Sequence, residues 1–456
     1  MQAFPRGCGW AGLALLLTLF LAGCRPKTQQ SAPADADAAT IPTSIRFNGT
    51  SYELLRYGKP YFIKGGGGVR HFDRLRAVGG NSIRIWDDND AQQILDEAQR
   101  LGLTVMFGLW VERQQEGFDY YDKKAVEKQY NRIRKTVLRY RNHPALLLWC
   151  VGNEWAFGAS NINVYSEVNR LATMIHELDP NHPVSTAIMA PTERDIRLVT
   201  ERCPAIDILA VNVYEQNNNI GKYFNKDGWP KPYIISEYGA PAFWDVPSAP
   251  WGVPDEPDSE QKRQHVRTFY ERYVAPRPAN CFGAYLFYWG SKQEESYTWF
   301  SVFDEQGRET PLVGLMEQLW SGRKPANTAP VVQALRIDGK VQAHRAFGPA
   351  DAHEHEADVA VYDPDADSLT YEWEIRPRLS LDLQPAPRPA PLPNLLQNPH
   401  HRRVRFTLPA KPGNYRLFVN IYDPHRHVAT ANVSFRVLAP GERLPTAQSR
   451  TGFNSR

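Results

Sequence analysis

Short apolar runs alternate with stretches of helical spacing from residue 61 to residue 320. The runs at 61–64, 82–86, 103–110, 145–152, 183–187, 207–214, 233–236 and 283–289 have the length and composition of buried parallel strands. Between the second and third, Ile94, Leu95, Ala98 and Leu101 fall on one helical face, and Gly102 ends that helix. Helical spacing recurs at 124–140, 164–178, 263–273 and 312–320. The basic run within 124–140 reads as the solvated outer face of its helix. Eight strands alternating with helices predict an α/β fold, a (β/α)8 TIM barrel over residues 43–322. A hairpin precedes it, with Asn48-Gly49 as the turn.

The pattern changes after a linker at 323–329. Short alternating strands at 331–337, 358–362, 369–374, 402–408, 415–423 and 429–437 predict a smaller all-β, Ig-like sandwich over 330–440. The proline-rich stretch 385–399 reads as an exposed insertion. Residues 441–456 read as a disordered tail. Asp363, Asp365 and Asp367 read first as turn-forming aspartates, with calcium chelation as the alternative.

The chain begins with a different pattern. Residues 1–24 have a basic Arg6, an apolar core at 11–20 and then Leu21-Ala22-Gly23-Cys24. The apolar run is short for a membrane span and ends in small residues, as secretory signals do. The tetrapeptide resembles the lipobox of bacterial lipoproteins. That resemblance implies cleavage before Cys24, a lipid on its sulfur and a place in the bacterial cell envelope. With Arg25 following, an outer membrane is favoured if the host is Gram-negative. Residues 25–42, rich in Gln, Ser, Ala, Asp and Pro, read as a flexible tether.

Bulk composition adds limits. A formal net charge of +3 gives no ground for a nucleic-acid partner. No cysteine or histidine spacing suggests zinc. Cys150 reads as a buried small residue in its strand, and pairing of Cys203 with Cys281 is left open. The 12 tryptophans, 21 tyrosines and 20 phenylalanines suit either a large core or sugar-stacking surfaces. At the barrel mouth, the aromatics 297–300 and those between Phe243 and Trp251 admit both readings.

Two strands end in glutamate. Leu147-Leu148-Trp149-Cys150-Val151-Gly152 runs into Asn153-Glu154, and Tyr233-Ile234-Ile235-Ser236 runs into Glu237. A carboxylate ending a buried strand is costly unless used or paired, and barrel active sites lie at the C-terminal ends of strands. Two carboxyl groups roughly 5 Å apart serve retaining glycoside cleavage, one as nucleophile and one as acid/base. The division expected is Glu154 as acid/base, its pKa raised by an apolar setting beside Trp155. Glu237 is expected as the ionised nucleophile, held by Arg84 and Tyr214. The other strand ends supply Arg84, Trp110, Asn153, Asn212, Tyr214 and Trp289 as substrate-binding or supporting groups, with Asn153 placed to meet the sugar 2-hydroxyl.

Three motifs then resemble one family. Arg141-Asn142-His143-Pro144-Ala145-Leu146 leading to Gly152-Asn153-Glu154, Leu178-Asp179-Pro180-Asn181-His182-Pro183-Val184, and Ile235-Ser236-Glu237-Tyr238-Gly239 resemble, in order, the barrel domain of glycoside hydrolase family two. The resemblance covers about residues 57–320. It implies a retaining β-glycosidase with catalytic glutamates on strands four and seven, Glu154 and Glu237, acting on an oligo- or polysaccharide. The third motif also resembles β-1,3-glucanosyltransferases of the same clan, which keeps a glycan-remodelling transglycosylase as an alternative. A non-catalytic glycan-binding lipoprotein is the other. The large sandwich domains that precede the barrel in family-two galactosidases and glucuronidases are replaced here by a hairpin, so their exo-specificity does not carry over. No metal or cofactor is expected, because both catalytic groups are side chains.

Overall fold

The computed structural model describes residues 42–444, apart from 190, 216–219, 221–223, 225–227, 349–350 and 379–386. The signal segment, the lipidation site at Cys24, most of the tether and most of the tail lie outside the described residues. Among the described residues no helix is long and apolar enough to cross a membrane.

The chain enters through an antiparallel three-stranded sheet: β1 (Thr43–Phe47), β2 (Tyr52–Arg56) and β3 (Lys59–Pro60). Eight parallel strands follow: β4 (Ile63–Gly67), β5 (Ser82–Ile85), β6 (Thr104–Leu109), β7 (Leu146–Asn153), β8 (Val184–Met189), β9 (Ile208–Asn212), β10 (Tyr233–Gly239) and β11 (Cys281–Phe287). They close into a barrel, with β11 pairing back onto β4. Every residue of β7 and of β10 is buried, because helices cover the outside and side chains fill the inside.

The opening sheet explains why only one end of the barrel is open. Leu54 packs inside among Ile63, Leu148, Ile208, Ile234 and Phe282. Arg56 Nη1 donates to the Leu146 carbonyl at 2.7 Å, and Asn280 Oδ1 accepts the Tyr52 N–H at 2.9 Å. Leu146 and Asn280 lie at the N-terminal ends of β7 and β11. The hairpin therefore plugs the bottom and leaves the C-terminal face as the mouth.

The run Gly65 to Gly68 is a matter of space. A Cβ on Gly65 would lie 2.1 Å from the Tyr285 ring, and one on Gly66 would lie 2.9 Å from Trp289. Side chains from β11 and just beyond it fill the space over β4 at these positions.

Helices α1 (Phe72–Ala77), α2 (Ala91–Arg100), α3 (Lys123–Tyr140), α4 (Asn163–Leu178), α5 (Glu193–Arg202), α6 (Ser259–Tyr273) and α7 (Pro311–Ser321) surround the barrel. The pattern of apolar positions does not announce α1 or α5. The first is six residues long, and the second buries only Ile196 and Val199.

The C-terminal sandwich has two sheets. One holds β12 (Val331–Ile337), β13 (Lys340–Val341), β15 (His355–Tyr362), β17 (Leu396–Gln397) and β18 (Arg403–Phe406). The other holds β14 (His344–Phe347), β16 (Thr370–Pro377), β19 (Gly413–Tyr422) and β20 (Val428–Val437). Their inner faces share one core built on Trp373, Val419, Phe406 and Phe435. The described part of the proline-rich stretch is not a free insertion. It contributes β17, and Arg388 just before it bonds Glu374 at 2.9 Å and lies 3.4 Å over the Tyr297 ring.

The turn reading of the aspartates fits the bonds they make. Asp363 Oδ1 accepts the N–H groups of Asp365 and Asp367, and Asp365 Oδ2 accepts that of Thr328. Cys150, Cys203 and Cys281 are all buried and free, so Cys203 and Cys281 form no disulfide.

The sandwich meets the barrel's C-terminal loops through buried charge. Glu256 accepts Lys262 Nζ at 2.6 Å and the hydroxyls of Ser296 and Thr298 at 2.7 Å each. Arg416 of β19 reaches Glu295 at 3.2 Å and Glu256 at 3.8 Å, and lies over the Trp299 ring. Arg378 pairs with the same Glu295 at 2.7 Å. Charges this deep persist only when mutually paired.

Candidate active site

Strand β7 ends by turning Gly152 (φ 74°) and Glu154 (φ 52°) into the left-handed region. Glycine takes that conformation freely, whereas glutamate adopts it only where the surroundings hold it. Here the Glu154 N–H donates to the Ala187 carbonyl of β8 at 2.9 Å. The turn frees the carboxylate from the strand's alternation and delivers it to the mouth.

Arg84 on β5 lies between the two glutamate strands. It is fully buried and donates through Nη1 to the Glu237 carboxylate and to the Ser236 carbonyl, and through Nη2 to Asn153 Oδ1 at 2.6 Å. Glu237 accepts two further donors, Trp86 Nε1 at 3.0 Å and the Tyr214 hydroxyl at 2.7 Å. Three donors on one carboxylate fix its rotamer and leave it as an acceptor throughout. Burial and the nearby carboxylate hold the Tyr214 hydroxyl well above the usual tyrosine range, so it keeps the proton it donates.

Asn212 at the end of β9 couples the pair. Its Nδ2 donates to Glu154 Oε1 at 2.8 Å and to Asn153 Oδ1 at 3.1 Å, while Ser236 donates to its Oδ1 at 2.7 Å. With two donors on Asn153 Oδ1, the Asn153 amide is oriented. Among the described residues no hydrogen bond uses its Nδ2, which is left as a donor at the mouth. The two glutamates are thus joined through a shared lattice of Arg84, Asn153 and Asn212.

The two carboxyl groups sit in different surroundings. Burial raises the Glu154 pKa, and the Glu237 charge raises it further; Asn212, Arg113 and Arg84 oppose the shift. Glu154 has one hydrogen bond and a guanidinium at 3.9 Å, where Glu237 has three donors. This is the asymmetry a proton donor and a nucleophile require.

The sequence-derived residues are placed unequally. Arg84, Asn153, Asn212 and Tyr214 gather on the two glutamates. Trp110 is half-buried at the rim beneath the Arg113 guanidinium, 4.9 Å from its ring centroid. Trp289 is a correction. It is 1% exposed, donates to the His71 carbonyl at 3.0 Å and packs against Trp320 and Phe303 in the helix-facing core. β11 ends at Phe287, so strand alternation no longer governs position 289. Tyr297, Trp299 and Phe300 are also buried and pack the loop.

Two further residues complete the site. Trp86 bonds the nucleophile candidate from one residue past the end of β5. Arg113 donates from Nε to the Asn153 carbonyl at 3.2 Å and approaches Glu154 Oε2 at 3.9 Å. It lies in the loop after β6, where no periodicity points to it.

Residues 69–270 match the family model described as the TIM barrel domain of glycosyl hydrolases family 2. Among curated proteins, β-glucuronidase of Sus scrofa is 25% identical over 245 residues, covering 46% of this chain and 36% of that protein. A β-galactosidase of Bacteroides ovatus is 26% identical over 208 residues, covering 37% and 23%. A crystal structure of a β-galacturonidase from Eisenbergiella tayi bound to galacturonate aligns with a TM-score of 0.48 at 17% identity, over 62% of this chain and 54% of that one. The chain matches 36% of the length of the Sus scrofa protein.

Proposed function

Starting from a barrel of the glycosyl hydrolase family 2 kind, we propose that this protein is a retaining β-glycoside hydrolase acting on an oligo- or polysaccharide. One observation supports this most: two strand-end glutamates joined through Arg84, Asn153 and Asn212, one held by three donors and the other buried with a raised pKa.

The chemistry follows from those surroundings. A Glu237 oxygen attacks the anomeric carbon as the glycosidic C–O bond breaks. Glu154 gives its proton to the departing oxygen, so the leaving group departs as a neutral alcohol. The glycosyl group is then esterified to Glu237. Glu154, now a carboxylate, takes a proton from water as that water attacks the anomeric carbon from the face the alcohol left. Glu237 departs as a carboxylate, and the sugar keeps its β configuration. Asn153 Nδ2 is placed to donate to the 2-hydroxyl, a contact that strengthens in the transition state.

Glu154 acting as acid sets a pH dependence. Activity falls as pH rises through the pKa of Glu154, because the acid must hold its proton. Since burial and Glu237 raise that pKa, the basic limb of kcat/KM should lie above the ordinary glutamate range. Asn212 favours the charged form, so Asn212→Ala should move the limb further up as well as slow turnover. Profiles on aryl β-glycosides check both. A basic limb that moves down in Asn212→Ala would remove Glu154 from the role of acid.

We further propose that the chain is anchored by a lipid on Cys24 in a bacterial envelope, the reading supported by Leu21-Ala22-Gly23-Cys24. Metabolic incorporation of an alkyne fatty acid that persists in Cys24→Ser would refute it.

A further inference from the structure

Outward from the two glutamates, the mouth continues as one wall of rings. Trp86 stacks on Tyr288 with centroids 5.9 Å apart and meets Phe287 edge-on at 5.7 Å. Phe287 meets Tyr214 at 5.9 Å, and Tyr214 meets Trp244 at 6.1 Å, both edge-on. The inner end of the wall is tied to Glu237, since Trp86 and Tyr214 both donate to it. The outer end is Trp244, 42% exposed.

Among the described tryptophans it is the most open: Trp149, Trp155, Trp229, Trp289 and Trp299 are fully buried, and Trp86, Trp110 and Trp251 are half-buried. Burying an indole stabilises a fold by an amount comparable with any core side chain. One left open beside the tyrosine that holds the nucleophile candidate is not explained by packing. Its polar neighbours lie at the same rim. Glu215 follows Tyr214, and Asp245 follows Trp244. Both are exposed, and loss of solvent around the paired carboxyls, then the Glu215 charge and hydrogen bond, raise the Asp245 carboxyl above the ordinary aspartate range.

We propose that Trp244, together with Asp245 and Glu215, forms a second sugar subsite adjoining the one at Glu237, and that it takes an uncharged pyranose ring of the same glycan chain. The inference rests on the glycosidase reading above and adds a substrate class to it. A pyranose presents an apolar C–H face that suits an open indole, and its rim hydroxyls find acceptors in two carboxyl groups. Two neighbouring carboxyl groups disfavour a uronic acid at this position by like-charge repulsion. The substrate is thus a chain with a neutral sugar at the second position, not a lone monoglycoside.

The test compares p-nitrophenyl β-glucoside with the β-laminaribioside and β-cellobioside, and p-nitrophenyl β-galactoside with the β-galactobioside. In Trp244→Ala the ratio of bioside to monoside kcat/KM should fall at least about tenfold, ~1.4 kcal/mol of transition-state binding. Trp244→Phe, which keeps an aromatic face, should retain most of the ratio. An equal fall on both members of a pair would mean that the indole only props Tyr214, and would overturn the subsite, as would no fall on either. If the unaltered protein cleaves none of these substrates, it is the glycosidase reading that fails. The subsite is then decided by calorimetry with laminaritriose, cellotriose and β-galactotriose. Binding weakened about tenfold in Trp244→Ala sustains it; equal affinity, or no binding to either protein, overturns it. Tighter binding of a chain carrying a uronic acid at the second position would overturn the neutral-ring assignment.

Discussion

Replacing Glu237 by alanine is expected to lower turnover by about 10⁴- to 10⁶-fold on any β-glycoside the protein cleaves, the scale on which removal of an enzyme's nucleophile acts. The barrel should still fold, at a cost of about 3–5 kcal/mol, because buried Arg84 loses its carboxylate partner but keeps Asn153 and the Ser236 carbonyl. The cavity left beside Arg84 admits a small anion. With an activated aryl β-glycoside, azide should restore part of the rate and give the α-glycosyl azide, because it attacks from the face the carboxylate occupied. Undiminished turnover in Glu237→Ala would remove it from the chemistry. A restored rate giving the β-azide would place the nucleophile elsewhere.

The second large effect concerns stability. Glu256 is fully buried beneath the sandwich, with Lys262 at 2.6 Å and Arg416 at 3.8 Å. In Glu256→Gln the shape is kept and the charge is lost, leaving the 5% exposed Lys262 without a carboxylate partner. Removing one member of a buried pair costs about 3–5 kcal/mol, whereas removing both for apolar residues of similar volume is nearly neutral. Glu256→Gln should therefore unfold at markedly lower denaturant, and Glu256→Met with Lys262→Met should recover most of the loss. Burial already lowers the Lys262 pKa. Without Glu256 it should fall further, so the single variant should regain stability as pH rises and the amine loses its proton. A loss below about 1 kcal/mol would mean that water reaches this network.

The linker at 323–329 makes the sandwich read as a separate module, but the structure packs it against the barrel's C-terminal loops. Arg416 lies over Trp299, Trp299 meets Phe300 at 6.5 Å, and Phe300 packs on Tyr214 at 5.6 Å. A chain of contacts thus runs from the second domain to the tyrosine on Glu237. This could not be read from the sequence, because alternating strands show a sheet's own core and not what its outer face covers. Arg416 and Glu295 look like ordinary surface charges until the fold buries both.

The barrel itself was legible, because its strands are buried on both faces and so read as continuous apolar runs. The two glutamates were legible for the same reason, as polar breaks at the ends of such runs. Arg84 follows from its place within β5, whereas Trp86 lies one residue past that strand's end. Trp289 lies two residues past the end of β11, where strand alternation no longer sets which way a side chain points. Arg113 and the pair Asp245–Glu215 were not legible, since they sit in loops and acquire a role only from what the barrel brings beside them. The missed helix α5 has a capping box, Thr192 with Asp195, but too little apolar surface to register as periodic.

The central claim is that Glu154 and Glu237 carry out a double displacement with retention. The most direct test is proton NMR of the first sugar released from an aryl β-glycoside, recorded before the anomers equilibrate. The account predicts the β anomer, with the α form appearing only as mutarotation proceeds. An initial α product would mean a single displacement by water, and would contradict the assignment of Glu237 as nucleophile.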